Sequence, residues 1–229
     1  MEAAQQQPEA LSQPLLRQLM MIWVDFDSRL NNVPLIEKIN RGKLRLEDYQ
    51  LFLRNHRQQV VEGSRWIARA ASSITAEYEP LRSRFLKHAV TEHRDFRMLE
   101  DNYVATGGSR EDITNGQKNI GSEALSAWMF HRASQPNPFD LLGAMFIIEG
   151  LGQKKAKAWG EAIRQQLKLP DEAVSFLIYH GKNDESHMEE FEEVLESGIL
   201  TAELVATIVK TAKVTARLYL LQLEEIGYY

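Results

Sequence analysis

The chain has 229 residues and a mass of 26.3 kDa, enough for one large domain around a single core. Lys and Arg number 27 against 32 Asp and Glu, and the net charge of −5 offers no basic footprint for nucleic acid. The absence of cysteine excludes a disulfide scaffold, a thiolate zinc site, an iron–sulfur cluster and a catalytic thiol, so any chemistry must run on His, carboxylates, Lys, Tyr or a cofactor.

Residues 1–13 are rich in Gln, Ala and Pro, lack the basic and apolar segments of a signal peptide, and read as a flexible tail ahead of a helical domain over 14–229. No apolar run reaches the roughly 18–20 residues of a membrane span, so a cytoplasmic protein with no membrane partner is expected. From Pro14 onward the apolar periodicity is helical nearly throughout. It predicts an all-α, single-domain bundle of about seven to eight helices. They fall near 14–30, 33–41, 46–74, 80–105, 121–134, 138–167, 171–196 and 201–226. Gly42, Gly107-Gly108 and Gly198 supply stops, Pro80 and Pro170 precede new starts, and Thr201 is a suitable N-cap for the last helix. The polar stretch 107–121 reads as either a mobile cover or a plain surface connector. One short echo links Val60-Val61-Glu62-Gly63 to Ile147-Ile148-Glu149-Gly150. In each, a carboxylate follows two β-branched residues and precedes a glycine that leaves room beside the backbone.

Three regions carry candidate chemistry. On a helix of about 100° per residue, His180, Asp184 and His187 share a face, and two imidazoles with one carboxylate suit iron, manganese or zinc. The competing reading makes Asp184 a cap and Gly181-Lys182-Asn183 a turn. Glu149 lies in the apolar run Ala144–Gly150, where an ionised carboxylate needs a positive partner, either a metal or a basic side chain. Glu62 has the same character on a less apolar background. In His88-Ala89-Val90-Thr91-Glu92-His93, the adjacent Glu92 and His93 diverge by about 100°, whereas His88 and Glu92 share a face. His93 and Glu92 are both candidate ligands, with surface ion pairing as the alternative.

With these residues assembled, the chain resembles the heme-oxygenase-like superfamily, which includes TenA-type thiamin proteins, PqqC, CADD proteins and non-heme diiron oxidases. The resemblance runs from about Val33 and includes Pro34–Leu44 and Tyr49–Leu53. Its most specific part is His180-x3-Asp184-x2-His187, preceded by Glu149 in an apolar helix. In the diiron branch this pattern implies four ligands, with a further Glu and His from an earlier helix. His93, followed by Phe96 and Leu99, matches the earlier His, whereas Leu86 and Val90 occupy the usual offsets of the earlier Glu. Glu62 or Glu92 would have to substitute for it.

The resemblance also orders the rival functions. TenA thiaminases depend on a cysteine that is missing here, and Leu15–Leu30 holds no His to serve as a proximal heme ligand, so no heme is expected. The leading expectation is a non-heme diiron oxidase or oxygenase that uses Fe(II), two ions per site, with O2 on a small organic substrate such as an amino acid, a fatty acid or a biosynthetic intermediate. Mn or no metal is the alternative. Rival functions are a metal-free TenA/PqqC-like enzyme using His acid/base chemistry, and a non-catalytic helical binding protein. Lys154, Lys155, Lys157, Arg164 and Arg65 are candidate partners for a substrate carboxylate, and the apolar last helix would suit a homodimer.

Overall fold

The helical periodicity resolves into eleven α-helices in the computed structural model, which describes residues 9–226 apart from the side chains at 9, 10, 183–190, 192 and 196. In chain order these are α1 (Glu9–Leu30), α2 (Pro34–Asn40), α3 (Leu46–Ser73), α4 (Glu79–Glu92), α5 (Phe96–Ala105), α6 (Arg110–Thr114), α7 (Ile120–Ala133), α8 (Leu142–Leu151), α9 (Lys157–Leu167), α10 (Ser175–Glu196) and α11 (Ala202–Glu224). No strand occurs among the described residues, and no helix there is long and apolar enough to cross a membrane.

Four boundaries differ from the sequence expectation, each for a local reason. Helix α1 starts at Glu9, so Glu9–Gln13 belong to it and not to a flexible tail; Leu11 packs against the core and extends the stripe of Leu15 and Leu19. The expected helix 80–105 is broken at His93–Asp95. There the Thr91 hydroxyl donates to the His88 carbonyl and His93 Nδ1 donates to the Val90 carbonyl, which satisfies the last turn of α4 from its own side chains. The expected helix 138–167 contains a 3-10 turn at Phe139–Leu141 and a π-helical turn at Gly152–Ala156 between α8 and α9. The π turn is tied to α1, with Lys155 paired to Asp27 at 2.6 Å and the Lys154 ammonium 5.8 Å from the centre of the Trp23 ring. The stretch 107–121 contains α6, capped by the Ser109 hydroxyl and anchored by the fully buried Ile113, so it is a packed connector and not a mobile cover.

Helix α3 packs on α4, α5 and α7, while α11 packs on α1, α7 and α8. Helix α10 lies against α8, α9 and the π turn. Close approach of α8 to α11 depends on Gly143, where an added Cβ would lie 2.1 Å from the Ile208 carbonyl oxygen. The start of α10 is fixed by Asn102 of α5. This fully buried amide donates to the Glu172 carbonyl and the Ser175 hydroxyl and accepts from the Phe176 amide at 3.2 Å. That contact sets the height of α10 against α5, and His180 follows one turn later.

Candidate metal centre

Where α4, the turn after it, α8 and α10 meet, five nitrogen- and oxygen-bearing side chains converge. His88 Nε2 lies 3.4 Å from Glu149 Oε1 and 3.9 Å from Glu92 Oε1. His180 Nε2 lies 3.2 Å from Asp95 Oδ2. Donor atoms of Glu92, Asp95 and His180 all fall within 4.8 Å of one another. The set therefore forms one continuous group of two imidazoles and three carboxylates, largely buried.

The orientation of His180 follows from its helix. Its Nδ1 lies 3.0 Å from the Phe176 carbonyl one turn earlier, so that nitrogen donates, and in the neutral ring Nε2 presents its lone pair to Asp95. Two acceptors facing each other at 3.2 Å require a cation or a proton between them. A backbone carbonyl holding the remote N–H is also the arrangement that orients a metal-ligating imidazole. Asp95 adds a second sign: it stands at the N-cap of α5 yet makes no capping hydrogen bond, and its carboxylate turns to His180 instead.

Charge crowding points the same way. Burial and then the charge of Glu149 push the Glu92 carboxyl up to about 7, with Asp95 adding to the rise and His88 and His180 opposing it. Three carboxylates and two imidazoles of this kind fit a hard or borderline divalent cation, which would offset the repulsion that raises Glu92. The residues present thus suit iron or manganese.

Glu92, Glu149 and His180 of the cluster line a cavity of about 100 Å³ bounded by α3, α4, α8, α9, α10 and α11. His56 lines the same cavity, with its ring stacked on Phe52 at 5.1 Å and edge-on to Phe176 at 5.4 Å. Burial, with a contribution from the charge of His180, lowers it to about 3, so His56 is a neutral imidazole in the wall.

Among the residues expected from sequence, Glu92, Glu149 and His180 are brought together. Asp184 and His187 lie on α10 but their side chains are outside the described residues. His93 is placed elsewhere: it is exposed at the end of α4, with Nδ1 on Val90 and Nε2 accepting from Arg94 Nε at 3.1 Å. His93 follows Glu92 by one residue, about 100° round the axis, and so lies off the helical face that His88 and Glu92 share. Glu62 also stands apart, held by Lys118 at 2.9 Å and Arg65 at 2.8 Å, the basic-partner alternative for a half-buried carboxylate. His88 and Asp95 are not among the ligands that the sequence pattern predicts. The signal for His88 was present in its i, i+4 relation to Glu92, whereas Asp95 carried none without the helix break.

Residues 50–220 match the model of a family described as iron-containing redox enzymes. The chain belongs to that family. In fold, this family member is similar to a domain of unknown function with a heme oxygenase-like fold from Shewanella denitrificans (TM-score 0.86, 22% identity, 93% of this chain and 92% of that one). It is also similar to a TenA homolog from Pseudomonas syringae pv. tomato (TM-score 0.74, 15% identity, 94% and 93% covered). A third likeness is to a TenA homologue from P. horikoshii (TM-score 0.66, 16% identity, 95% and 98% covered). The fold is therefore the all-α heme oxygenase-like fold in a single domain. A search of curated proteins gives no match.

Proposed function

We propose that this redox-family chain is an Fe(II)-dependent oxidase or oxygenase that uses O2 on a small organic substrate held in the cavity. His88, Glu92, Asp95, Glu149 and His180 would hold the metal, and Asp184 and His187 are the further ligands expected from their spacing with His180. The observation that carries this reading is the convergence of two imidazoles and three carboxylates from three helices and a turn beside a largely apolar cavity. Bound iron would supply the one-electron chemistry that O2 activation requires.

The chain's own part is to prepare the site. The Phe176 carbonyl fixes the tautomer of His180 and so aims Nε2 at the cluster. Glu92 and Glu149 both approach His88 at Nε2, which keeps that edge of the ring turned to the carboxylates. Trp66, Ile148, Leu151 and Leu177 line the cavity and exclude water from the reacting end.

Anaerobic addition of Fe(II) to metal-stripped protein tests the reading. Uptake of about two ions per chain, the number a His/carboxylate dinuclear site takes, is expected, followed by a visible transient on exposure to O2. Iron binding no higher than background overturns it. A second reading, metal-free acid/base catalysis, draws on the Glu92 carboxyl at about 7, a value suited to proton transfer near neutrality. Metal analysis after iron-rich expression separates the two.

A further inference from the structure

Glycine in a helix interior is destabilising relative to alanine, so its presence calls for a reason. Gly63 lies well inside α3, and a Cβ built on it would meet no heavy atom within 4 Å. Packing therefore does not require glycine there. Its counterpart in the sequence echo is different: at Gly150 a Cβ would approach the Trp23 ring to 3.3 Å, so packing accounts for that one. What distinguishes Gly63 is its face. Phe52, His56, Gln59, Gly63, Trp66 and Ile67 follow one another at helical spacing and all line the cavity, with Gly63 inside that stripe. The space above Gly63 is room within the cavity.

The character of the wall indicates what fills that room. Among the described residues lining the cavity there is no Lys or Arg, and the acids and imidazoles there are Glu92, Glu149, His56 and His180. The basic residues expected to meet a substrate carboxylate are elsewhere. Lys155 is paired with Asp27, Arg65 with Glu62 and Arg164 with Asp171, and neither Lys154 nor Lys157 lines the cavity. In the iron-free chain an anionic group beside Gly63 would be buried with no basic side chain to offset its charge, whereas an apolar one would lie against Trp66 and Ile67. At about 100 Å³ the space is on the scale of the cavities that admit a single six-membered ring.

We infer that Gly63 is the specificity-determining position of the cavity, kept without a side chain to seat the body of a small, uncharged, largely apolar substrate. The inference rests on the reading of this cavity as the substrate site. Nitrobenzene and benzoate, which match in size and shape but differ in charge, are the probes, titrated calorimetrically into the full chain without iron. Nitrobenzene is expected to bind at least tenfold more tightly than benzoate. Gly63→Leu should weaken nitrobenzene at least tenfold and Gly63→Ala less, while both variants unfold at or above the wild-type temperature because the helix gains. Absence of nitrobenzene binding, equal binding of benzoate, or a folded Gly63→Leu chain that binds nitrobenzene as the wild type does would each overturn the inference. Should the leucine variant not fold, unchanged nitrobenzene affinity in Gly63→Ala overturns it in the same way. Iron uptake is measured separately on the same preparations. A chain that takes no iron but keeps the nitrobenzene pattern defeats the oxidase reading alone, and one that takes iron without the pattern defeats this inference alone.

Discussion

Glu92→Gln should act in opposite directions on the metal-free and the iron-loaded protein. The Glu92 side chain is 17% exposed, and burial together with Glu149 raises its carboxyl from 4.5 to about 7. A folded-state value above the unfolded one means that folding favours the protonated form. The contribution is complete below about 4.5 and is lost as the pH rises through about 7. At 1.36 kcal/mol per unit, the loss is roughly 3 kcal/mol. Glutamine keeps the shape without the charge. In the presence of chelator, urea unfolding at pH 8 should therefore find Glu92→Gln more stable than wild type by roughly 3 kcal/mol, with the gap shrinking below about 1 kcal/mol at pH 5. Saturating Fe(II) under anaerobic conditions should stabilise the wild type more than the variant, because a neutral amide is a poorer ligand than a carboxylate. A metal-free variant less stable than wild type at pH 8, or a gap equal at both pH values, would refute the account of charge crowding.

Two further predictions separate site from scaffold. His88→Ala should lower iron affinity by roughly tenfold or more, whereas His93→Ala should leave iron stoichiometry and affinity unchanged, as isothermal titration under argon would report. An equal loss in both would return His93 to the ligand set. At the base of α3, burial works against ionised Asp48 but is outweighed by hydrogen bonds from Arg45 and from Lys38 at 2.7 Å, which hold its carboxyl at about 2. That depressed value contributes stability above about pH 4 that disappears as the pH falls toward 2. Asp48→Asn should therefore cost about 2 kcal/mol at pH 7 in urea unfolding and almost nothing near pH 2, and a constant deficit would contradict the ion-pair account.

Much of the fold could be read from local chemistry. Gly42, Gly107 and Gly198 end helices with φ of +66°, +89° and +83°, and Thr201 caps α11 by accepting from the Leu204 amide, as their residue types suggest. The sequence pattern failed where side chains act on the backbone without a helix-breaking residue. Thr91 and His93 end α4 with no Gly or Pro nearby, and the π turn at Gly152–Ala156 is held by Asp27 and Trp23 from a helix far away in the chain. Periodicity over a window of residues carries no record of such contacts.

The candidate site divides in the same way. Sequence alone determined an all-α chain, a chemistry without thiols, and Glu149, Glu92 and His180 as carboxylates and imidazole worth testing, because a carboxylate in an apolar run and spacing along one helix face are local patterns. Tertiary structure decided that His88 and not His93 meets Glu149, that Asp95 turns to His180, and that Glu62 belongs to Lys118 and Arg65. The meeting of Asp95 with His180 follows from where α4 ends and how high Asn102 seats α10, and a ligand set gathered from helices far apart in the chain has no periodicity of its own.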